Sequence, residues 1–369
     1  MTALRVAHVV ESLEIGGIER IVAMLVRHMR NAFHIEVICT SRGGPIAEAI
    51  ERDGTPVRVL GLPTYYPSGI AGLARTLREI RPDVVHSHGH FAGVLARGAG
   101  VWAGIPAVVH HLHTIDTTLR RRHRRLERLL ATVTSRVVCC SGAVAEHARR
   151  DLRLPERITT IVPNGIDPAP EVDAIAQREQ LARPIPPLIG CIGGLSRHKG
   201  QEVLIRALEP LARDLPEGTV LFVGEGKYRE ALESRARSVP PGWSVRFLGR
   251  RTDARSLLAA TDIVAVPSIE REGFSLAALE AMDAAKPVVA SRVGGLPEVV
   301  EDGVTGRLVD PDDPVALADA IRSIWTSPDR GQGMGAAGRR RVDSLYRGSM
   351  MARRITALYE ETLHARRAA

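Results

Sequence analysis

The sequence predicts an α/β protein with two parallel sheets, and three observations carry that prediction. Short β-branched runs alternate with amphipathic helical stretches along all 369 residues. The alternation breaks once, near the middle, in a stretch dense in proline and glycine. Glycine-rich corners recur just after strands, where parallel sheets place their ligands. At roughly 100–200 residues per domain, a chain of this length is expected to form two domains.

In the first half, strands are expected near 4–10, 34–39, 57–60, 83–86, 107–110, 136–140 and 159–162, each a short apolar or β-branched run. Helices fit between them. Over 17–30, Ile18, Ile21, Val22, Leu25 and Met29 share one helical face. The segments PNGIDPAP at 163–170 and PIPP at 184–187 read as an interdomain connection. Strands are then expected at 188–192, 219–223, 245–248, 262–266, 287–290 and 307–309. This gives a first domain over 1–166, a linker over 167–187 and a second domain over 188–345. Two such units facing one another would form a cleft lined by strand C-terminal ends.

Composition narrows the class. With 44% hydrophobic and 25% charged residues the chain is not disordered, and it has no run of eighteen apolar residues to span a bilayer. Cys39, Cys139, Cys140 and Cys191 each sit in an apolar strand-like run, without zinc or disulfide spacing, and read as buried thiols. Since LRVAHVV at 4–10 reads as a first strand, there is no room for a signal peptide, and a cytoplasmic location is expected. The net charge of +8 is uneven. Residues 1–166 hold 22 Arg and no Lys against 14 acidic residues, whereas 167–369 hold 28 basic and 28 acidic. An anionic partner is therefore to be sought in the first half.

The segment 266–291, VPSIEREGFSLAALEAMDAAKPVVAS, is the most informative. A strand ends at Ser268, a loop carries Glu272, Gly273, Phe274 and Ser275, and a helix is expected from Ser275 through Met282. Free amides at its first turn suit a phosphate, and Gly273 permits close approach. Glu280 lies eight residues beyond Glu272, so the two carboxylates are about 12 Å apart or less. That separation suits gripping hydroxyl-bearing groups on either side of a phosphate. In GGLSRHKG at 193–200, Lys199 stands at a strand-to-helix corner where a cation could neutralise a diphosphate. Gly224-Glu225-Gly226 and Gly16-Gly17 close strands in the same manner.

With these segments in place, the chain resembles the glycosyltransferase family 4 type of retaining sugar-nucleotide transferases over nearly its whole length. The matching pieces are GGIER, DVVHSH at 83–88, HLH at 111–113, VVCCSGAV at 137–144 and IVPNGID at 161–167. They continue with GGLSRHKG, VGEG at 223–226, FLGR at 247–250, EGFSLAALEAM at 272–282 and PVVASRVGGLPEVVEDGVTGRLV at 287–309. The resemblance implies a GT-B fold of two Rossmann-like domains, with 346–369 as a helix crossing back to the first. It also implies metal-independent transfer with retention, from a nucleotide-sugar donor, most simply a UDP-sugar. Glu280 would hold the ribose hydroxyls, and Glu272 the donor-sugar hydroxyls. The amides of Phe274, Ser275 and Leu276 would meet the sugar and phosphate. Lys199 would neutralise the diphosphate, Gly16 and Gly17 would approach it, and His113 would face the sugar. Gly249 and Arg250 would lie beside the base. The leaving phosphate would itself take the acceptor's proton, so no paired-carboxylate dyad is required. An arginine usual in the family before the lysine is replaced by Gly194, and Arg197 or another residue is expected to supply that charge.

Other features have competing readings. His86 and His88 show a metal-like His-x-His spacing, but nearby carboxylates are scarce. No metal is expected, and the run is assigned to the cleft rim near an acceptor. Around 119–133, Leu119, Leu126, Leu129, Leu130 and Val133 define an apolar helix face. Arg120, Arg121, Arg122, Arg124, Arg125 and Arg128, with Glu127, define the opposite one. That face is either ordinary solvated surface or a dock for an anionic membrane or acceptor. Two other classes remain: a sugar-nucleotide epimerase of the same architecture, and a non-catalytic binder of anionic surfaces. Nucleic acid is not expected, since 4% aromatic content offers few stacking platforms.

Overall fold

A computed structural model describes residues 4–63, 67–169, 172–179, 181, 185–251 and 253–367. The chain forms two compact units: Met1–Asp167 with Arg347–Ala369, and Pro168–Tyr346.

The first unit is built on seven parallel strands: β1 (Arg5–Ser12), β2 (His34–Arg42), β3 (Val57–Val59), β4 (Val84–His88), β5 (Ala107–Leu112), β6 (Arg136–Cys139) and β7 (Thr159–Ile161). Their order is β3-β2-β1-β4-β5-β6-β7, so the winding reverses between β1 and β4. On one face Ala7, Val9, Ile38 and Val85 pack with Leu73, Leu77, Leu95 and Ala96 of two covering helices. The other face carries histidines, placed there by register. His8 pairs with His86, and His88 with His111. Because side chains alternate along a strand, His86 and His88 point the same way, as do His111 and the residue two beyond it, His113. The helix Gly348–Arg367 joins this unit: Gly348 N–H donates to Ile166 O at 3.0 Å, and buried Tyr359 reaches His86. Gly165 is required where the chain passes that junction, since a Cβ there would stand 2.8 Å from Arg347 O.

The second unit has six parallel strands: β8 (Leu188–Ile192), β9 (Gly218–Val223), β10 (Trp243–Phe247), β11 (Ile263–Val266), β12 (Val288–Ser291) and β13 (Gly306–Val309). The order β10-β9-β8-β11-β12-β13 reverses between β8 and β11. An apolar cluster fills one part of its core, with Ile189, Leu204, Leu208, Phe222 and Ile263 in it.

The expected linker over 167–187 is not a free connection where it is described. Ala169 N–H donates to Asp283 at 2.7 Å, and Arg178, in the helix Ala174–Glu179, makes a bidentate pair with Asp262. Pro170 and Pro184, which supported the linker reading, lie outside the described residues. Among the described residues no helix is long and apolar enough to cross a membrane.

Candidate functional site

In open parallel sheets a ligand crevice lies beyond the strand C-termini where the winding reverses. In the second unit that place is the ends of β8 and β11. After β8 the chain passes Gly193 and Gly194 into a short 3₁₀ turn, Arg197–Lys199, which ends on Gly200 in the left-handed region at φ +67°. A Cβ on Gly200 would stand 1.8 Å from Pro267 O, so only glycine lets this loop lie flush against the end of β11. The Ile269 amide ties the two loops by donating to His198 O at 2.9 Å.

Lys199 and Glu272 meet there. Lys199 Nζ donates to Glu272 Oε2 at 2.8 Å, and the buried Ser268 hydroxyl donates to the same oxygen at 2.8 Å. The Gly295 amide also donates to Glu272 O at 3.1 Å, fixing the loop backbone from the β12 side. Glu272 thus has a buried carboxylate held by two donors and a backbone carbonyl held by a third, while Lys199 remains about one-third exposed. Beside them begins the helix Leu276–Asp283, capped by Ser275, whose hydroxyl accepts from Ala278 N–H. The cap satisfies one first-turn amide and leaves the positive end of the helix beside the ion pair. The Phe274 ring is buried edge-on against Tyr346, 5.4 Å between centroids, so this residue can offer a ligand only its main chain.

Glu280 lies within the same helix, buried, with Arg255 Nε 3.9 Å from Oε1. One turn on, fully buried Asp283 binds Arg255 at 2.9 Å and Arg339 at 3.4 Å. Sequence reasoning missed this Arg255–Asp283–Arg339 support. Its signal was a second acidic residue, at the end of a helix that is apolar apart from Glu280. The glycine corners also interlock: Gly193 N–H donates to Val223 O, Leu195 N–H to Glu225 O, and Gly224 N–H to Gly249 O. Gly249 sits at φ +69°, with Arg250 exposed beside it.

At Gly194 a Cβ would meet nothing closer than Glu225 O at 3.8 Å, so the position has room for a side chain. Arg197 is exposed, and its charge acts on Tyr228. Arg271, which the sequence reading did not single out, holds a left-handed φ of +65° one residue before Glu272. Burial lowers the pKa of His198, and the charges of Lys199 and Arg271 lower it further. Glu272 and Glu270 oppose that effect, so Arg271 adds its charge to a corner where both signs meet.

In the first unit, Gly16 caps the helix Gly17–Met29 without a side-chain bond, and the Glu19 carboxylate folds back over it. Burial raises the pKa of Glu19. His113 is buried at the end of β5, with its ring 4.0 Å from that of His111. His86 and His88 correct the sequence reading. Both are buried in β4, so neither stands at a rim to meet an acceptor. Paired strands on both sides of β4 enclose them. His86 Nδ1 instead pairs with Tyr359 OH at 2.6 Å. Two sets, His8/His86/His88 and His88/His111/His113, bring ring nitrogens within 4.8 Å of one another, close enough to converge on a cation.

The basic helix, Arg121–Ala131, also differs from expectation. Glu127 is 1% exposed and turns inward, where Arg97, 0% exposed, pairs with it at 2.7 Å and His90 Nδ1 lies 2.7 Å away. Burial alone would raise the Glu127 pKa, but Arg97 and the hydrogen bonds from His90 and Arg97 outweigh it and hold it well below normal. Leu129, expected on the apolar face, is 66% exposed. Arg124 is half-buried and donates to Leu119 O, leaving Arg120, Arg121, Arg122, Arg125 and Arg128 on the surface.

Comparison with known proteins agrees with this architecture. Residues 15–170 match the family model described as Glycosyltransferase Family 4, and residues 186–327 match Glycosyl transferases group 1. The chain is 31% identical over 281 residues to a glycogen synthase of Mycobacterium tuberculosis, covering 73% of this chain and 67% of that one. It is 34% identical over 318 residues to the D-inositol 3-phosphate glycosyltransferase of Corynebacterium kroppenstedtii, covering 78% and 68%. Among solved structures, Anabaena Alr3699/HepE in complex with UDP matches with a TM-score of 0.84 at 25% identity, over 97% of this chain and 100% of that one. Sucrose-phosphate synthase from Thermosynechococcus elongatus, at 23% identity, shares the fold with a TM-score of 0.80, over 98% and 100%. The chain belongs to glycosyltransferase family 4 and is a transferase of the GT-B type.

Proposed function

We propose that the protein is a retaining glycosyltransferase that moves a sugar from a nucleoside-diphosphate sugar to an acceptor hydroxyl. The observation that carries this reading is the Lys199–Glu272–Ser268 contact at the ends of β8 and β11, beside a capped helix N-terminus. A diphosphate placed there would draw Lys199 from Glu272 and use the helix amides, with no metal needed to balance its charge. Glu272 would then be free to accept hydrogen bonds from sugar hydroxyls, and Glu280 would grip the ribose. His113 would meet the sugar. The bond from the anomeric carbon to the leaving phosphate oxygen breaks as the bond to the acceptor oxygen forms on the same face. The acceptor's proton passes to that phosphate. UDP is the nucleotide to try first, because the solved Anabaena relative carries it.

Glu280→Ala tests the reading on the full chain by calorimetric titration with UDP and by donor-hydrolysis assay across a panel of nucleotide sugars. Loss of nucleotide affinity by tenfold or more is expected. Unchanged binding would overturn the ribose assignment. Absence of nucleotide binding and donor hydrolysis in the unsubstituted protein would favour a protein that uses its basic surface alone.

The exposed arginines, with Leu129 and the 41%-exposed Phe91, favour an acceptor presented at an anionic membrane, as in a lipid-linked glycan or glycolipid. Each basic residue near such a surface contributes about 1 kcal/mol. On this reading the enzyme works at the cytoplasmic face. Flotation with anionic vesicles at two salt concentrations checks it, and salt-insensitive or absent binding would rule it out.

A further inference from the structure

Three of the buried histidines form a chain, ring nitrogen to ring nitrogen. His8 Nδ1 lies 3.0 Å from His88 Nε2, and His88 Nδ1 lies 3.1 Å from His113 Nε2. All three rings are buried. Burial depresses the pKa of His8 to about 4 and of His113 to about 3. It also lowers His88 well below the ordinary value, helped by the neighbouring rings. None carries a second proton near neutral pH.

A neutral imidazole has one N–H and one lone pair. Each short N···N contact needs one of each. These two conditions leave the chain only two arrangements. In one, every ring is protonated at Nδ1, so the hydrogen bonds run from His8 to His113 and His113 ends in an outward Nδ1–H. In the other, every ring is protonated at Nε2, and His113 ends in a lone pair. A mixed state sets two protons or two lone pairs against each other.

The far end of the chain decides between them. His8 Nε2 is buried with no hydrogen-bond partner among the described residues. The first arrangement leaves a lone pair there, and the second leaves an N–H. Orphaned buried N–H groups are the rarer of the two in folded proteins, which favours the first arrangement.

We propose that His8 and His88 are positioning residues that hold His113 in its Nδ1–H form, so that it presents a hydrogen-bond donor to an oxygen of the transferred sugar. The sugar contact rests on the reading of His113 given above. The tautomer does not, and can be measured without substrate.

The experiment is a long-range proton–nitrogen correlation on the full chain labelled with ¹⁵N-histidine, at pH 7, after dialysis against EDTA. His8, His88 and His113 are assigned by single substitution. Nδ1–H signals for all three are expected, and Nε2–H at His88 or His113 would overturn the proposal. Adding one equivalent of Zn²⁺ should leave those signals in place. Stoichiometric binding that removes them would mean the cluster is a metal site, and the chain would fall. His8→Asn keeps a donor facing His88 and should keep the Nδ1–H signal of His113. His8→Leu removes it and should give mixed tautomers at His113. In the donor assay His8→Leu should lower kcat/KM by about tenfold with UDP affinity unchanged, and His8→Asn should restore it. Equal losses in both would overturn a positioning role. Correct tautomers in a protein that transfers no sugar would leave the chain standing and remove the transferase reading instead.

Discussion

The two units share a winding rule and differ in what they bury. The second gathers its buried ionisable groups at the strand ends and in the helix Leu276–Asp283, where Arg255 and Arg339 face Glu280 and Asp283, and keeps a core of Ile189, Leu204, Leu208 and Phe222. The first carries ionisable groups inside: His8, His86, His88, His110 and His111, together with Arg97 and Glu127, are all nearly inaccessible. One unit buries carboxylates beside cations that match them. The other buries one such pair and, in addition, imidazoles that must stay neutral. The units should therefore fail under different conditions.

Acid should separate them most. Burial lowers the pKa of His8, His86, His88, His110, His111 and His113 below the ordinary 6.5. Between that value and the folded one, the unfolded chain binds protons that the folded chain refuses. Stability is thus complete above about pH 6.5 and falls as the pH drops toward about 4. Each group that stays neutral in that window costs about 1.4 kcal/mol per pH unit, so a cluster of such rings can remove a marginal stability within a few pH units. The second unit contains a single histidine, the partly buried His198. Pulse-labelled hydrogen exchange on the full chain should show the first unit opening between about pH 6 and 4.5 while β8–β13 stay protected. Simultaneous opening of both units would break the contrast.

The buried ion pair gives the next effect. Glu127→Ala leaves Arg97 with its charge uncompensated inside the first unit and should cost about 3–5 kcal/mol in urea unfolding. Replacing both partners, Arg97→Met with Glu127→Leu, should recover most of that loss. If the single substitution costs under 1 kcal/mol, water already reaches Arg97. At the edge of the second unit, Gly194→Arg should be tolerated without loss of stability, since nothing lies within 3.4 Å of a Cβ there. If Arg271 and Arg197 already supply the charge, this variant should change kcat/KM less than tenfold. A hundredfold rise from a nearly inert protein would show that the charge is missing. Smallest of all, Arg121→Gln, Arg122→Gln and Arg125→Gln should each shift stability by less than about 0.5 kcal/mol.

The same contrast separates what could be read from the sequence. All six strands of the second unit lie within two residues of their expected limits. Lys199 and Glu272 meet because their loops follow the two strands at which the winding reverses. In the first unit, strand existence was legible but the inward chemistry was not. The run HSHGH looks like a polar loop, and the expected strand stopped at His86, whereas β4 continues to His88. Only the pairing of β1, β4 and β5 reveals that these rings share a face, and register is not written in any one segment. Glu127 misled for a related reason. Its neighbours are arginines, but its partner is Arg97, thirty residues earlier, in a helix otherwise lined by Ala92, Gly93, Ala96, Ala99 and Gly100. A cation amid such small residues was the available clue that an internal acid existed.

The helix Gly348–Arg367 has a consequence for how the molecule is made. It completes the unit begun by the first residues, and its Tyr359 closes over the histidine face through His86. Synthesis runs from the N-terminus, and domains ordinarily fold in that order. Here the earlier-born unit must wait, its histidine face uncovered, until the second unit has been fully translated. The order of completion is inverted relative to the order of birth. Deleting the helix Gly348–Arg367 would therefore disturb the maturation of the N-terminal unit, far from it in sequence.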